Sequence, residues 1–384
     1  MKSVEMQMRP SDRSRARAAA GLSACVGLLL AAIALQAADW PLFLGSSNRN
    51  SIANSPLDPP LEVAWTYEAP GGVDSTAIIV DGTVYFGEMD GRFHAVDLES
   101  GQAKWVYQAN LGVPASGCIA QGAVFFGDEE GYFHAVDIES GKQRWVYQSF
   151  AEILSSPYCS DQAVIVGSYD ANLYSFDPLT GELLWEYETE DRINSSPAVV
   201  GGKTFTTGCD GKFRVIDITS GEEDSFVDMQ DYVAASPAVV GAFAYVGTYG
   251  HEVLKIDWKE GQVVWRYDHP VTDFEFFSSP VVRDGLVVIG GRDKRVHAID
   301  EKSGALKWEF ETRSRVDSSP ALAGDVIWVG SMDGNLYALN HADGSLLWKF
   351  AIGGRIVASP AIADGRIVIG SRSGEVYCLA RSSN

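Results

Sequence analysis

Residues 318–348 read "SSPALAGDVIWVGSMDGNLYALNHADGSLLW", and residues 278–308, "SSPVVRDGLVVIGGRDKRVHAIDEKSGALKW", fill the same slots with other residues. Four short runs lie in the first stretch and its continuation, "SSPAL", "VIWVG", "NLYAL" and "LLWKF", rich in β-branched, aromatic and apolar side chains. "AGD", "MDG" and "NHADG" separate them. Short apolar runs divided by turn residues predict one four-stranded antiparallel blade, and no helical period survives over a useful length. Asp90-Gly91, Asp210-Gly211 and Asp333-Gly334 suit type I′ hairpins, in which both central residues have positive φ. The following turn places Asp or Asn four residues before Gly, from Asp97…Gly101 to Asn340…Gly344. The side chain can bond backbone N–H groups there while the glycine takes the left-handed conformation.

The unit recurs about every 40 residues. Trp65, Trp105, Trp145, Trp185, Trp265, Trp308 and Trp348 mark the period, with Phe226 in the slot between Trp185 and Trp265. A serine opens each unit, at Ser75, Ser116, Ser156, Ser196, Ser236, Ser279, Ser319 and Ser359, which makes eight blades. The last unit runs out at "SGEVYCLARSSN" without a fourth strand, and "EVAWTYEA", residues 62–69, is a fourth strand with no blade before it. The expected fold is all-β, an eight-bladed β-propeller whose N-terminal strand completes the last blade and leaves no open edge. Seven equivalent tryptophans read as packing between blades. Eight equivalent serines read as structural, because a nucleophile would be singular and paired with a base.

The chain start is different. Lys2, Arg9, Arg13, Arg15 and Arg17 precede an apolar run from Val26 to Leu35, followed by Ala37 and Ala38. This is the pattern of a secretory signal peptide over residues 1–37, or of an uncleaved anchor. "LSAC", residues 22–25, has the look of a lipoprotein box, but the apolar run follows Cys25 rather than preceding it. A leader covers 38–61 and the propeller 62–384. The formal charge of −21 repels phosphate backbones and excludes nucleic acid as a natural partner. The five cysteines include no CxxC and no adjacent pair, so neither a zinc site nor a covalent haem is expected. Export would permit disulfides, whose pairing the sequence leaves open.

The repeat, with "GQAKW", "GKQRW", "GELLW", "GQVVW", "GALKW" and "GSLLW" closing its units, resembles the pyrroloquinoline-quinone (PQQ) repeat of quinoprotein alcohol dehydrogenase-like β-propellers. "DWPLFLG", residues 39–45, is similar to the leader of secreted members. The resemblance implies two branches. Quinoprotein dehydrogenases bind PQQ and calcium at the mouth of the ring and carry long insertions with an adjacent cysteine pair. The non-catalytic BamB-like branch scaffolds outer-membrane protein assembly, and the compact blades here are more similar to it. No cofactor, catalytic residue or metal is expected on that branch; PQQ with calcium belongs to the dehydrogenase alternative.

Function is expected where the repetition breaks. Counting back from the opening serines, the third residue is apolar: Val113, Ile153, Ile193, Val233, Phe276, Val316 and Ile356. The fourth varies: Gly71, Gly112, Glu152, Arg192, Tyr232, Glu275, Arg315 and Arg355. The second also varies and includes Asn194 and Asp317. The segment from Trp265 to Ser279 spans 14 residues where most span 11, and carries Phe274 beside Phe276 and Phe277. Arg192, Asn194, Tyr232, Phe274, Arg315, Asp317 and Arg355 are therefore the expected partner-binding residues at one mouth of the channel. His94, His134 and His297 share one slot in separate blades, so a histidine metal cluster is not expected. The chain reads as an exported monomer in the periplasm or outside the cell, binding an envelope or secreted protein.

Overall fold

A computed structural model describes residues 39–382; the segment read as a signal peptide and the Cys25 motif fall outside the described residues. Eight four-stranded antiparallel sheets form, each in the order inner, second, third and outer strand. Blade 1 runs Ile78–Val80, Thr83–Gly87, Arg92–Asp97 and Ala103–Gln108. Blades 2 to 7 follow over 118–148, 158–188, 198–228, 238–268, 281–311 and 321–351. The inner three strands are buried on both faces by neighbouring blades, which is why they read as continuous apolar runs. Outer strands such as Ala103–Gln108 alternate toward solvent.

Blade 8 closes the ring. Ala361–Ala363, Arg366–Gly370 and Glu375–Ala380 are joined by Glu62–Glu68, which pairs antiparallel with the last of them and sets Trp65 opposite Cys378. Trp65 then reaches into blade 1. Its indole N–H donates to Leu98 O at 2.8 Å, and its ring covers Gly101, where a Cβ would lie 2.7 Å from the indole. The same bond recurs from Trp105 to Ile138, Trp145 to Pro178, Trp185 to Ile218, Trp265 to Glu301 and Trp308 to His341. Trp348 instead meets Trp328 edge-on and stacks on Phe350. Where Phe226 replaces tryptophan, Trp258 comes from the opposite direction, edge-on to Phe205 of blade 4.

Two local expectations are corrected. Asp90, Asp210 and Asp333 do not have positive φ, although the glycines after them do, so their turns are not type I′. These loops are wider, as Glu88 N bonding Arg92 O illustrates. Type I′ geometry belongs instead to the turn between inner and second strands, with positive φ at both Asp81-Gly82 and Asp284-Gly285. The second correction concerns the opening slot of blade 1, which is Thr76 and not Ser75. Backbone N–H groups of Ser116, Ser156, Ser196, Ser236, Ser279 and Ser319 each donate to the hydroxyl of the next slot, and Ser359 N donates to Thr76 Oγ1 at 2.9 Å. Ser75 Oγ bonds Gly87 instead, as Ser195 Oγ does Thr207. The shift makes Val73, Gly72 and Asp74 the blade-1 residues three, four and two before the slot.

The leader is part of the fold. Trp40 bridges Ile79, Ser47 O accepts from Val199, Asn48 O from Val239, and Ser51 O from Leu322. Asn50 bonds Val282 through both amide atoms. The segment thus pairs with inner strands of five blades, across the mouth opposite the blade-to-blade links. Arg49 is fully buried in it and donates to the carbonyls of Pro197, Phe43, Ser156 and Pro157. A disulfide joins Cys118 and Cys159 on the adjacent inner strands of blades 2 and 3.

Candidate functional site at the channel mouth

Each link from an outer strand to the next blade's inner strand crosses one mouth of the channel. Its third-before-slot residue is the anchor: Val73, Val113, Ile153, Ile193, Val233, Phe276, Val316 and Ile356 are all at most 2% exposed. Most pack beside the glycine ending a second strand; a Cβ at Gly127 would lie 2.1 Å from Ile153 Cγ2. The anchor sinks, so its neighbours are held at the mouth. The carbonyl before it accepts a backbone N–H from the turn between second and third strands, as in Tyr169 to Glu152, Cys209 to Arg192, Tyr249 to Tyr232 and Arg292 to Glu275. Links and turns therefore form one surface.

The expected residues lie on this surface in two tiers. Asn194 and Asp317 line a channel cavity of about 180 Å³, together with Asp74, Phe277 and the slot hydroxyls, and with Phe43 of the leader. Arg192, Tyr232, Arg315 and Arg355 belong to the outer tier, where Arg192 and Tyr232 are about 60% exposed. Phe274 is half exposed on the long link, while Phe276 is its buried anchor and Phe277 turns into the channel.

Sequence reasoning missed the turn residues facing these links: Tyr169, Tyr249, Arg292 and Arg372. They occupy one varying slot, two residues after the end of each second strand, and that variation was the available signal. The Arg292 guanidinium lies 3.3 Å from the Phe277 ring centroid, and Tyr249 meets Phe277 edge-on. Arg292 also grips Asp317 through two bonds of 3.0 and 3.2 Å, with Arg315 3.3 Å from the same carboxylate. Arg372 binds Asp74 through both Nε and a terminal guanidinium nitrogen. Arg192 sits over Tyr169, and Asn194 donates to Cys209 Sγ at 3.2 Å. Burial, then Tyr249 and Cys209, push the Tyr169 phenol up to about 12. Burial also raises the Cys209 thiol. Both stay protonated at neutral pH. The inner-tier carboxylates are neutralised, whereas Arg192 and Arg355 present charge outward. Such a surface can recognise a partner through planar guanidinium and aromatic contacts.

The histidines of the shared slot are held between blades. His94 bonds Tyr67 and Glu88, and His134 bonds Tyr107 and Asp128. His297 bonds Tyr267 and Asp293 in the same way. At the third interface a histidine from outside that slot, His269 of the long link, joins His297 and Glu309.

The sequence profile of a PQQ-repeat family described as outer membrane protein assembly factor BamB matches residues 110–225 and 210–384. No curated protein sequence matches the chain. Among solved structures, BamB from Moraxella catarrhalis is similar at 20% identity and a TM-score of 0.72, over 84% of this chain and all of that one. The computationally designed Ika8 protein aligns at 18% identity and 0.74, over 84% of this chain and all of its own. Quinohemoprotein alcohol dehydrogenase from Comamonas testosteroni aligns at 16% identity and 0.76, over 90% of this chain and 81% of its own. At these identities the likeness is one of fold.

Proposed function

Because the chain belongs to the PQQ-repeat family described as outer membrane protein assembly factor BamB, we propose that it is an exported, non-catalytic propeller that docks a protein of the cell envelope on the channel mouth. The observation that carries this reading is the outward tier of Arg192, Arg355, Tyr232 and Phe274, raised on buried anchors over a neutralised inner tier. Arginine and aromatic side chains of this kind dominate protein interfaces. The buried Cys118–Cys159 disulfide fits an oxidising compartment. A resident quinone is not part of this reading, because the sequence has no adjacent cysteine pair to place beside it. The disulfide is also in the wrong place for one, joining inner strands in the core rather than residues adjacent at the mouth.

Charge reversal tests the reading. Arg192→Glu with Arg355→Glu is expected to abolish capture of the envelope partner while leaving the melting temperature nearly unchanged. Arg315 is spared because it is tied to Asp317. The control reverses Lys142 and Lys302, in turns on the opposite side. Loss of capture in the control but not in the mouth pair would place the site elsewhere.

A further inference from the structure

The one long link brings a second imidazole to a blade interface. His269 and His297 are buried, Glu309 is partly exposed, and their donor atoms all lie within 4.8 Å of one another. His269 Nε2 is 3.1 Å from Glu309, and His297 Nε2 is 3.1 Å from Asp293. We propose that His269, His297 and Glu309, with Asp293 beside them, bind one divalent first-row transition-metal ion.

Two imidazoles and carboxylate oxygens suit zinc and its neighbours and disfavour calcium, which takes six or more oxygens. Each imidazole has an oxygen at its other nitrogen: Thr272 Oγ1 at 2.7 Å from His269 Nδ1, and Tyr267 Oη at 3.2 Å from His297 Nδ1. Metal-binding histidines need such acceptors to hold the productive tautomer. Backbone N–H groups of Val271 and Thr272 also approach His269 Nδ1, at 3.4 and 3.2 Å, and must yield when that nitrogen carries the proton. Arg295 competes for both carboxylates, 3.4 Å from Glu309 and from Asp293. The flexible, partly exposed arginine can move outward, and the exposed side of Glu309 gives the ion its path. Blades 1 and 2 are internal controls, because His94 and His134 repeat the tyrosine–histidine–carboxylate arrangement with one imidazole each.

The test is calorimetric titration of the untagged, chelator-stripped full chain with zinc chloride in excess calcium. One equivalent is expected to bind saturably. His269→Gln and Glu309→Gln, each checked for the native circular dichroism spectrum, should remove that binding, and His134→Gln should retain it. Thr272→Val should weaken it about tenfold, while Arg295→Gln should tighten it by removing the competing cation. Absence of a one-equivalent site in the parent chain overturns the proposal. So does unchanged binding in a folded His269→Gln or Glu309→Gln variant.

Discussion

Trp65→Ala is expected to lower stability by about 3–5 kcal/mol, read as a fall in the urea midpoint without a change in slope. Trp65 sits on the strand that both completes blade 8 and touches blade 1. Alanine there empties the space over Gly101, leaves Leu98 O without its indole donor, and loosens the interface at which distant parts of the chain shut the ring. Removing residues 1–69 goes further, exposing the Glu375–Ala380 edge and promoting aggregation. An unchanged melting curve for Trp65→Ala would contradict closure by this strand.

The second large effect is expected at Arg49. Burial pushes its guanidinium down to about 9, yet four carbonyl oxygens take up its N–H groups. Arg49→Ala leaves those carbonyls without their side-chain donor. At about 1–3 kcal/mol for each unsatisfied group, even partial relief by water leaves a loss of about 3 kcal/mol or more. Arg49→Lys is expected to recover little, since an ammonium cannot reproduce the planar fork. Arg381, whose ion pair with Asp58 is exposed, is the comparison; Arg381→Ala should change stability by less than about 1 kcal/mol. Chemical denaturation of the three variants measures the ranking.

The contrast between these two residues shows what the sequence discloses. Trp65 was legible because its role repeats: the same indole recurs at the same interval, and the orphan strand carrying it matches the strand missing from blade 8. Arg49 was not, because three of its four partners are carbonyls more than a hundred residues away, and any residue type offers a carbonyl. The same reason explains the other omissions. His269 lies in a link, and its meeting with His297 exists only once blades stand side by side. Thr76 was misassigned because the serine of "STA" comes first, whereas the slot is the second position of "SSP" in blades 3, 4, 6 and 7 and of "ASG" or "ASP" in blades 2, 5 and 8, and the hydrogen-bonded ring decides which hydroxyl holds it. Cys118 and Cys159 had a signal in their separation of about one repeat, which places them on neighbouring inner strands. The outer tier of the mouth was legible as variation at one position. Its supporting tier, Tyr169, Tyr249, Arg292 and Arg372, lies in another part of each unit and joins the links only through the fold.

The claim that the departures from repetition form a docking surface is tested most directly by where the partner touches. A photoactivatable phenylalanine analogue placed at Tyr232 or Phe274 and irradiated in intact envelopes is expected to give one discrete adduct of the same protein from both positions. The same group at Leu179 or Lys142, exposed in turns on the opposite side, should give none. Adducts from Leu179 or Lys142 with none from Tyr232 and Phe274 would contradict the account.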